Sequence, residues 1–271
     1  MTFSTITKSW NAFVSHRWLV LIAVVIDIVF LISVNQLNYE LLNRANEYSQ
    51  TLTTMLGEQA QALADADTLQ PPAVLQSDEF TAAYRQLLKF IGFFFAGILL
   101  SWIACKGSVW FLAHKSAKEK PVDAKLFATK FIGMTLFWFG GFLILTIIAM
   151  NIIDYALMGA LPLFSTKTAN VIVAIIFWAY SYFVFISYAL VPHNVFKQTF
   201  TLGITQWKEM LPAHVLGTIV LALSITIPFF LIRISVYLIP VFALLVALPA
   251  IAWTRTLWIT AVHKVMSHGQ N

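Results

Sequence analysis

Residues 192–232 read PHNVFKQTFTLGITQWKEMLPAHVLGTIVLALSITIPFFLI. Phe196, Phe200, Ile204, Trp207 and Leu211 recur at intervals of four, four, three and four, which is one face of a helix. Lys197, Gln198, Thr201, Gln206, Lys208 and Glu209 take the other face. Such a helix, over residues 193–211, is expected to lie in the plane of the lipid headgroups. Pro212 then marks an elbow, and residues 215–232 form an apolar span. This unit, an interfacial lead-in helix followed by a membrane span, sets the plan for the rest of the chain.

Composition supports it. The 271 residues are 59% apolar and 11% charged, whereas a soluble domain averages roughly 45–50% and 25%. Several runs reach the roughly 20 apolar residues that cross a hydrocarbon core. One membrane domain over 1–271 is expected. The formal net charge is +5, carried mostly by loops, so the expected partners are membrane lipids with anionic headgroups and not nucleic acid. A single cysteine, Cys105, excludes an intrachain disulfide.

Residues 1–17 repeat the lead-in plan, with Phe3, Ile6, Trp10 and Phe13 on one helical face. Span 1 follows at 18–36 and carries Asp27. Lys8 and Arg17 precede it and no small-x-small cleavage site follows, so it reads as a retained signal anchor. Residues 37–88 are the one long polar segment. Within it Leu41, Ala45, Tyr48, Leu52, Met55, Gln59 and Ala62 alternate four and three apart, a heptad seam. Span 1 is expected to continue as one helix to about Ala66, until Pro71-Pro72 breaks it and Ser77 caps the next helix. The seam serves either a hairpin that packs on itself or a contact through 37–66 to a protein partner or second copy.

Span 2 is expected at 90–113, with Lys106 snorkelling from its inner end. A basic loop occupies 114–130, where Pro121 opens a helix. Span 3 is expected at 131–153, and a short loop with Pro162 follows. Span 4 is expected at 170–191, span 5 at 215–232 and span 6 at 236–258. With the N-terminus inside, twelve of the 17 basic residues face the cytoplasm. That asymmetry predicts a multi-pass cell-membrane protein with both termini cytoplasmic. The fold class is therefore all-α integral membrane: six transmembrane helices, interfacial lead-in helices, and an extracytoplasmic helical hairpin between spans 1 and 2.

Tyr188 to Pro192, a short link, an amphipathic helix ending in Trp207-Lys208 and a new span form a recognisable layout. It resembles the membrane domain of the glycerophosphodiester phosphodiesterase family and related six-span proteins of unknown function. The resemblance covers roughly residues 170–260 and implies a proline ending one span and an interfacial helix leading into the next. That family's catalytic work belongs to a soluble domain without counterpart here, and the segment 37–88 departs from its pattern. A second resemblance, through the lead-in helices, is to sulfate permeases whose helices dip half-way into the bilayer.

Few residues carry chemistry. Asp27 lies nine positions past Trp18, about 13 Å into the bilayer by helix rise. An intramembrane carboxylate needs a partner, and Arg255 is the expected one. The pair is read as a proton- or ion-coupled site, as a structural ion pair, or as a neutral Asp27 bonded to a neighbouring helix. Asp154 and Arg233 are expected near the outer span ends, as a rim pair or as solvated caps. All six histidines map to the inner face, without metal-ligand spacing. No cofactor motif and no enzyme signature is present, and no histidine is expected level with Ser101, Ser181, Ser187 or Ser224. Two functions follow: a non-enzymatic membrane protein acting through helix packing and lipid or partner contacts, or a transporter or channel built round Asp27 and Arg255.

Overall fold

Three helices start where a short polar side chain takes up a backbone N–H that the first turn leaves unpaired. Ser77 Oγ accepts from the Phe80 N–H at 3.1 Å. Asp123 Oδ1 accepts from Lys125 N at 2.8 Å. Ser165 Oγ accepts from Thr168 N at 3.3 Å. The computed structural model describes residues 3–66, 77–117, 123–157, 165–191 and 195–268. Pro71, Pro72, Pro121, Pro162 and Pro192, read above as helix punctuation, lie outside them.

The described residues form helices and no strand. In chain order these are α1 (Phe3–Ser15), α2 (Arg17–Leu37), α3 (Asn43–Ala66), α4 (Asp78–Ser101), α5 (Gly107–Ser116) and α6 (Ala124–Leu157). Then come α7 (Thr166–Ala189), α8 (Val195–Thr205), α9 (Trp207–Leu231), α10 (Leu238–Phe242) and α11 (Leu248–His268). Wide π turns at Asn38–Leu42, Trp102–Lys106 and Ala243–Ala247 join α2 to α3, α4 to α5 and α10 to α11. Six continuous helices are long and apolar enough to cross a membrane: Arg17–Gln61, Asp78–Ser116, Ala124–Leu157, Thr166–Ala189, Trp207–Leu231 and Leu238–Ser267. Leu31, Ile144, Ile225 and Leu245 on them are more than half exposed, as side chains facing lipid would be.

Packing divides the chain into two units, 1–27 with 105–271, and 28–104, where length alone suggests one domain. The second unit is a helical hairpin. On α3 the seam turns onto α4, burying Ala45 and Leu52 and stacking Tyr48 on Phe90 at 5.8 Å. Arg44 lies over the same Phe90 ring, 5.8 Å from its centre. The seam is thus occupied within the chain, and Gly57 does not interrupt its helix.

The first unit packs α1 on α11, α11 on α9 and α5, α6 on α7, and α7 on α8. Aromatic rings from α5, α6, α7 and α11 fill its core, among them Trp110, Phe131, Tyr188 and Trp258. The expected elbow at Pro212 is not where the chain turns. Gln206, at φ −113° and ψ 27°, separates α8 from α9, and Pro212 sits inside α9. A proline within the first two turns removes one intrahelical bond and leaves the later ones intact. Trp207 therefore opens α9 and does not close the lead-in helix. The buried side of α8 is Val195, Thr199 and Gly203, while Phe196, Phe200 and Ile204 remain at least two-fifths exposed. Span 6 likewise runs past its expected end at Trp258, to Ser267. Within that stretch the hydroxyls of Thr254 and Thr260 donate to the carbonyls of Ile251 and Thr256 in the same helix.

Candidate functional site

α2 places Asp27 ten residues from its start at Arg17, about 15 Å by helix rise. Burial there leaves the Asp27 side chain 2% exposed. α11 brings Arg255 to it in a forked contact: Nη1 donates to Oδ2 at 2.8 Å and Nη2 to Oδ1 at 3.1 Å. The planar guanidinium suits this two-bond geometry. The π turn at 102–106 ends on Lys106, whose Nζ donates to Asp27 Oδ1 at 2.7 Å. All three residues belong to the first unit.

The three groups come from similar depths. Lys106 lies ten residues before the helix end at Ser116, and Arg255 twelve before the end at Ser267. The Lys106 ammonium is turned onto Asp27 and held there, where a snorkelling side chain was expected. Sequence reading missed it because a basic residue near a basic loop looks interfacial. The signal that could have found it is the distance of Lys106 from Ser116, equal to that of Asp27 from Arg17. One carboxylate here receives three charge-assisted bonds, and the ionised set carries a formal +1. In a poorly solvated interior the Coulomb attraction is strong and each desolvated charge is costly, so every member depends on the others.

Asp154 and Arg233 are not brought together. Both are exposed, and no ion pair joins them among the described residues.

Two histidines expected at the interface are instead buried in aromatic surroundings. His114 Nε2 donates to the Tyr188 carbonyl at 3.1 Å, and the Tyr188 hydroxyl meets Thr135 Oγ1 at 3.3 Å. His214 lies among Trp178, Tyr182, Phe185 and Trp258, with ring centres 4.8 to 6.1 Å away. Its Nε2 is 3.4 Å from Ser181 Oγ, a serine–histidine proximity that was not expected. The same nitrogen is 3.1 Å from the Trp178 carbonyl, which can only accept. Nε2 therefore carries the proton, and Ser181 Oγ itself donates to that carbonyl at 2.8 Å. A protonated nitrogen cannot activate the serine as a base, so this geometry is packing and not a nucleophile–base dyad.

Further polar pairs tie α6, α7 and α9. Trp138 Nε1 donates to Ser187 Oγ at 2.8 Å, and Trp178 Nε1 to Thr218 Oγ1 at 3.0 Å. Tyr180 donates its hydroxyl to the Trp138 carbonyl. Among the described residues no three His, Cys, Asp or Glu side chains gather closely enough to hold a metal ion. A small apolar cavity lies between α1, α2, α5 and α11, and none of Asp27, Lys106 or Arg255 lines it. No protein-family model, curated protein or solved structure matches the chain.

Proposed function

We propose that this is a non-enzymatic six-span membrane protein that works through helix packing and contacts with lipid or a partner, with Asp27 as the clamp of its first unit. The observation that carries this reading is the saturation of the Asp27 carboxylate by Arg255 and Lys106 in closed packing. A transport site wants a polar route to its charged group. The small cavity between α1, α2, α5 and α11 is lined almost wholly by apolar side chains. Both termini are assigned to the cytoplasm on the bias of basic residues. The seam of α3 meets α4 of the same chain, so a second chain contacting 37–66 would use the other faces of α3.

A second reading, transport or conduction through a site round Asp27 and Arg255, is favoured by the formal +1 of the cluster, which would attract an anion. Asp27→Asn separates the two, because it keeps size and hydrogen bonding but removes the charge. Under the packing reading this variant loses thermal stability in detergent, by about 3–5 kcal/mol for an uncompensated buried charge. Normal stability and assembly with an ion flux abolished in proteoliposomes would overturn that reading.

A further inference from the structure

α1 and α8 both turn small side chains inward and large apolar ones outward. On α1 the buried residues are Thr5 and Ser9. Ser9 Oγ donates to the Ile6 carbonyl at 2.8 Å and accepts from Trp253 Nε1 of α11 at 3.2 Å. On α8 they are Val195, Thr199 and Gly203, and Thr199 Oγ1 donates to the Val195 carbonyl at 2.7 Å. Hydroxyls that bond inside their own helix leave a short, satisfied face that docks closely. Trp10 and Val14 on α1, and Phe196, Phe200 and Ile204 on α8, are left between 42% and 65% exposed. Lys8 on α1 and Lys197 and Thr201 on α8 are exposed beside them. A helix with one apolar stripe and one cationic or polar stripe lies along a membrane surface, its apolar side sunk about 5–10 Å.

Both helices lie at one end of the first unit. Ser9 meets Trp253. The Gly203 carbonyl accepts from the Tyr182 hydroxyl at 3.0 Å, and the Tyr182 ring lies 6.2 Å from that of Trp258. Trp253 and Trp258 are five residues apart on α11, about 7.5 Å. The distance to the other end agrees along three helices. Phe200 stands 6.2 Å from Trp138 and 5.4 Å from Phe183, between ring centres. Trp138 is 16 residues from the exposed Asp154, and Phe183 is 16 from the exposed Lys167, each about 24 Å. Trp253 is 15 residues from Leu238 at the start of α10, about 22 Å. A hydrocarbon core is about 30 Å thick, which leaves α1 and α8 about 6–8 Å under the headgroups of the opposite leaflet. At the Asp154 end no such pair of helices is present among the described residues of this unit, where residues 232–237 only turn.

We propose that α1 and α8 are a pair of wedges in one leaflet, and that the partner they fit is a convexly curved lipid surface, an assignment that rests on the lipid-contact reading above. Laid flat, the two helices displace about 350 Å² of headgroups from that leaflet. Bending the leaflet outward spreads its headgroups and exposes acyl chains, which the Trp10 and Phe200 stripes then cover. The buried Ser9 and Gly203 faces fasten the wedges to α11 and α7, so curvature acts on the whole first unit and not on a detachable helix.

The test uses the full chain with a fluorescent tag at its C-terminus, reconstituted in giant vesicles of phosphatidylcholine and sorted by whether the tag faces out or in. The tag marks the wedge side, because α11 runs on from Trp253 and Trp258 to His268. A nanotube is pulled outward, and the protein in it is counted against a lipid dye. With the tag outward the protein is enriched in the tube about threefold, and with the tag inward it is depleted by a similar factor. The double variant Val14→Asn, Ile204→Asn takes one exposed apolar side chain from each wedge and leaves the buried faces alone. Its sorting ratio falls towards one while its melting in detergent is unchanged. A ratio of one in both orientations, or a shift of the same sign in both, overturns the proposal; that comparison uses the unaltered chain and stands whether or not the variant folds. Asp27→Asn melting is measured in parallel. A clamp that matters for stability in a protein indifferent to curvature sinks the wedges alone, whereas orientation-dependent sorting with a dispensable clamp sinks the packing reading alone.

Discussion

Lys106 Nζ lies 2.7 Å from Asp27 Oδ1, although 79 positions separate the two residues in the chain. Arg255, a further 149 positions on, holds the same carboxylate through two bonds. The stability of this set is unevenly shared. Arg255→Met removes two of the three bonds and is expected to cost about 3–5 kcal/mol. Lys106→Met removes one bond but also the excess positive charge, and is expected to cost about 1–2 kcal/mol. The triple change Asp27→Leu, Lys106→Met, Arg255→Met leaves no charge unpaired. It should recover stability to within about 1 kcal/mol of the starting protein, since apolar replacement of a whole buried ion cluster is often neutral or better. Thermal unfolding in detergent, read as the ordering of the three melting temperatures, checks this. A triple variant weaker than Arg255→Met alone would show that the charges do more than fasten helices.

Much of this was legible from periodicity, and the reasons for the remainder are physical. Apolar runs give away six helices long and apolar enough to cross a membrane, because a helix in lipid must be apolar over a fixed length. Ser77 was legible as a cap because Asp78 and Glu79 follow it in the first turn. The turn at Gln206 was not, because glutamine carries no backbone constraint, while Pro212 carries one that α9 absorbs. The burial of His114 and His214 was hidden for a different reason. Each is satisfied by a main-chain carbonyl, of Tyr188 and Trp178, and a carbonyl leaves no mark in a sequence. The depth of Lys106 was hidden by the basic loop beside it.

Gly203 is fixed by contact. A Cβ there would stand 2.6 Å from Phe183 Cε1, and the Gly203 carbonyl accepts from the Tyr182 hydroxyl at 3.0 Å. Gly203→Ala must push the ring or α8 aside, at about 1–3 kcal/mol. Gly133 in α6 is the control, because a Cβ there meets nothing within 4 Å. Gly133→Ala is expected to gain about 0.5–1 kcal/mol from helix propensity. Hydrogen exchange reads both: faster exchange confined to residues 195–205 for the first, and no acceleration for the second.

In the hairpin unit Leu52 is 7% exposed on the seam facing α4. Leu52→Ala should destabilise the hairpin by about 2–4 kcal/mol, and Ser77→Ala by about 1 kcal/mol through the lost cap. Exchange of the amides in α3 and α4 reports both. Because the seam is filled within the chain, the mass of the detergent-solubilised particle should not change with Leu52→Ala. A drop in that mass would mean that the seam also serves a second chain.

The assignment of both termini to the cytoplasm makes a prediction about reporters. A fluorescent protein fused after residue 268 should fold and fluoresce, while alkaline phosphatase fused near Gln61, at the far end of the helix that begins at Arg17, should be active. On this proposal basic residues near the inner ends set the orientation, chiefly Lys115, Lys125 and Lys130 together with Lys8 and Arg17. Replacing Lys115, Lys125 and Lys130 by glutamine should lower phosphatase activity at Gln61, because the loop would then no longer resist export. The acids of 37–88 should matter far less, since carboxylates carry little weight in orienting spans. Converting Glu40, Glu47 and Glu58 to glutamine is therefore expected to leave both reporters unchanged. Phosphatase activity from the C-terminal fusion, with none near Gln61, would invert the orientation and place Arg17 and Lys115 at the opposite leaflet.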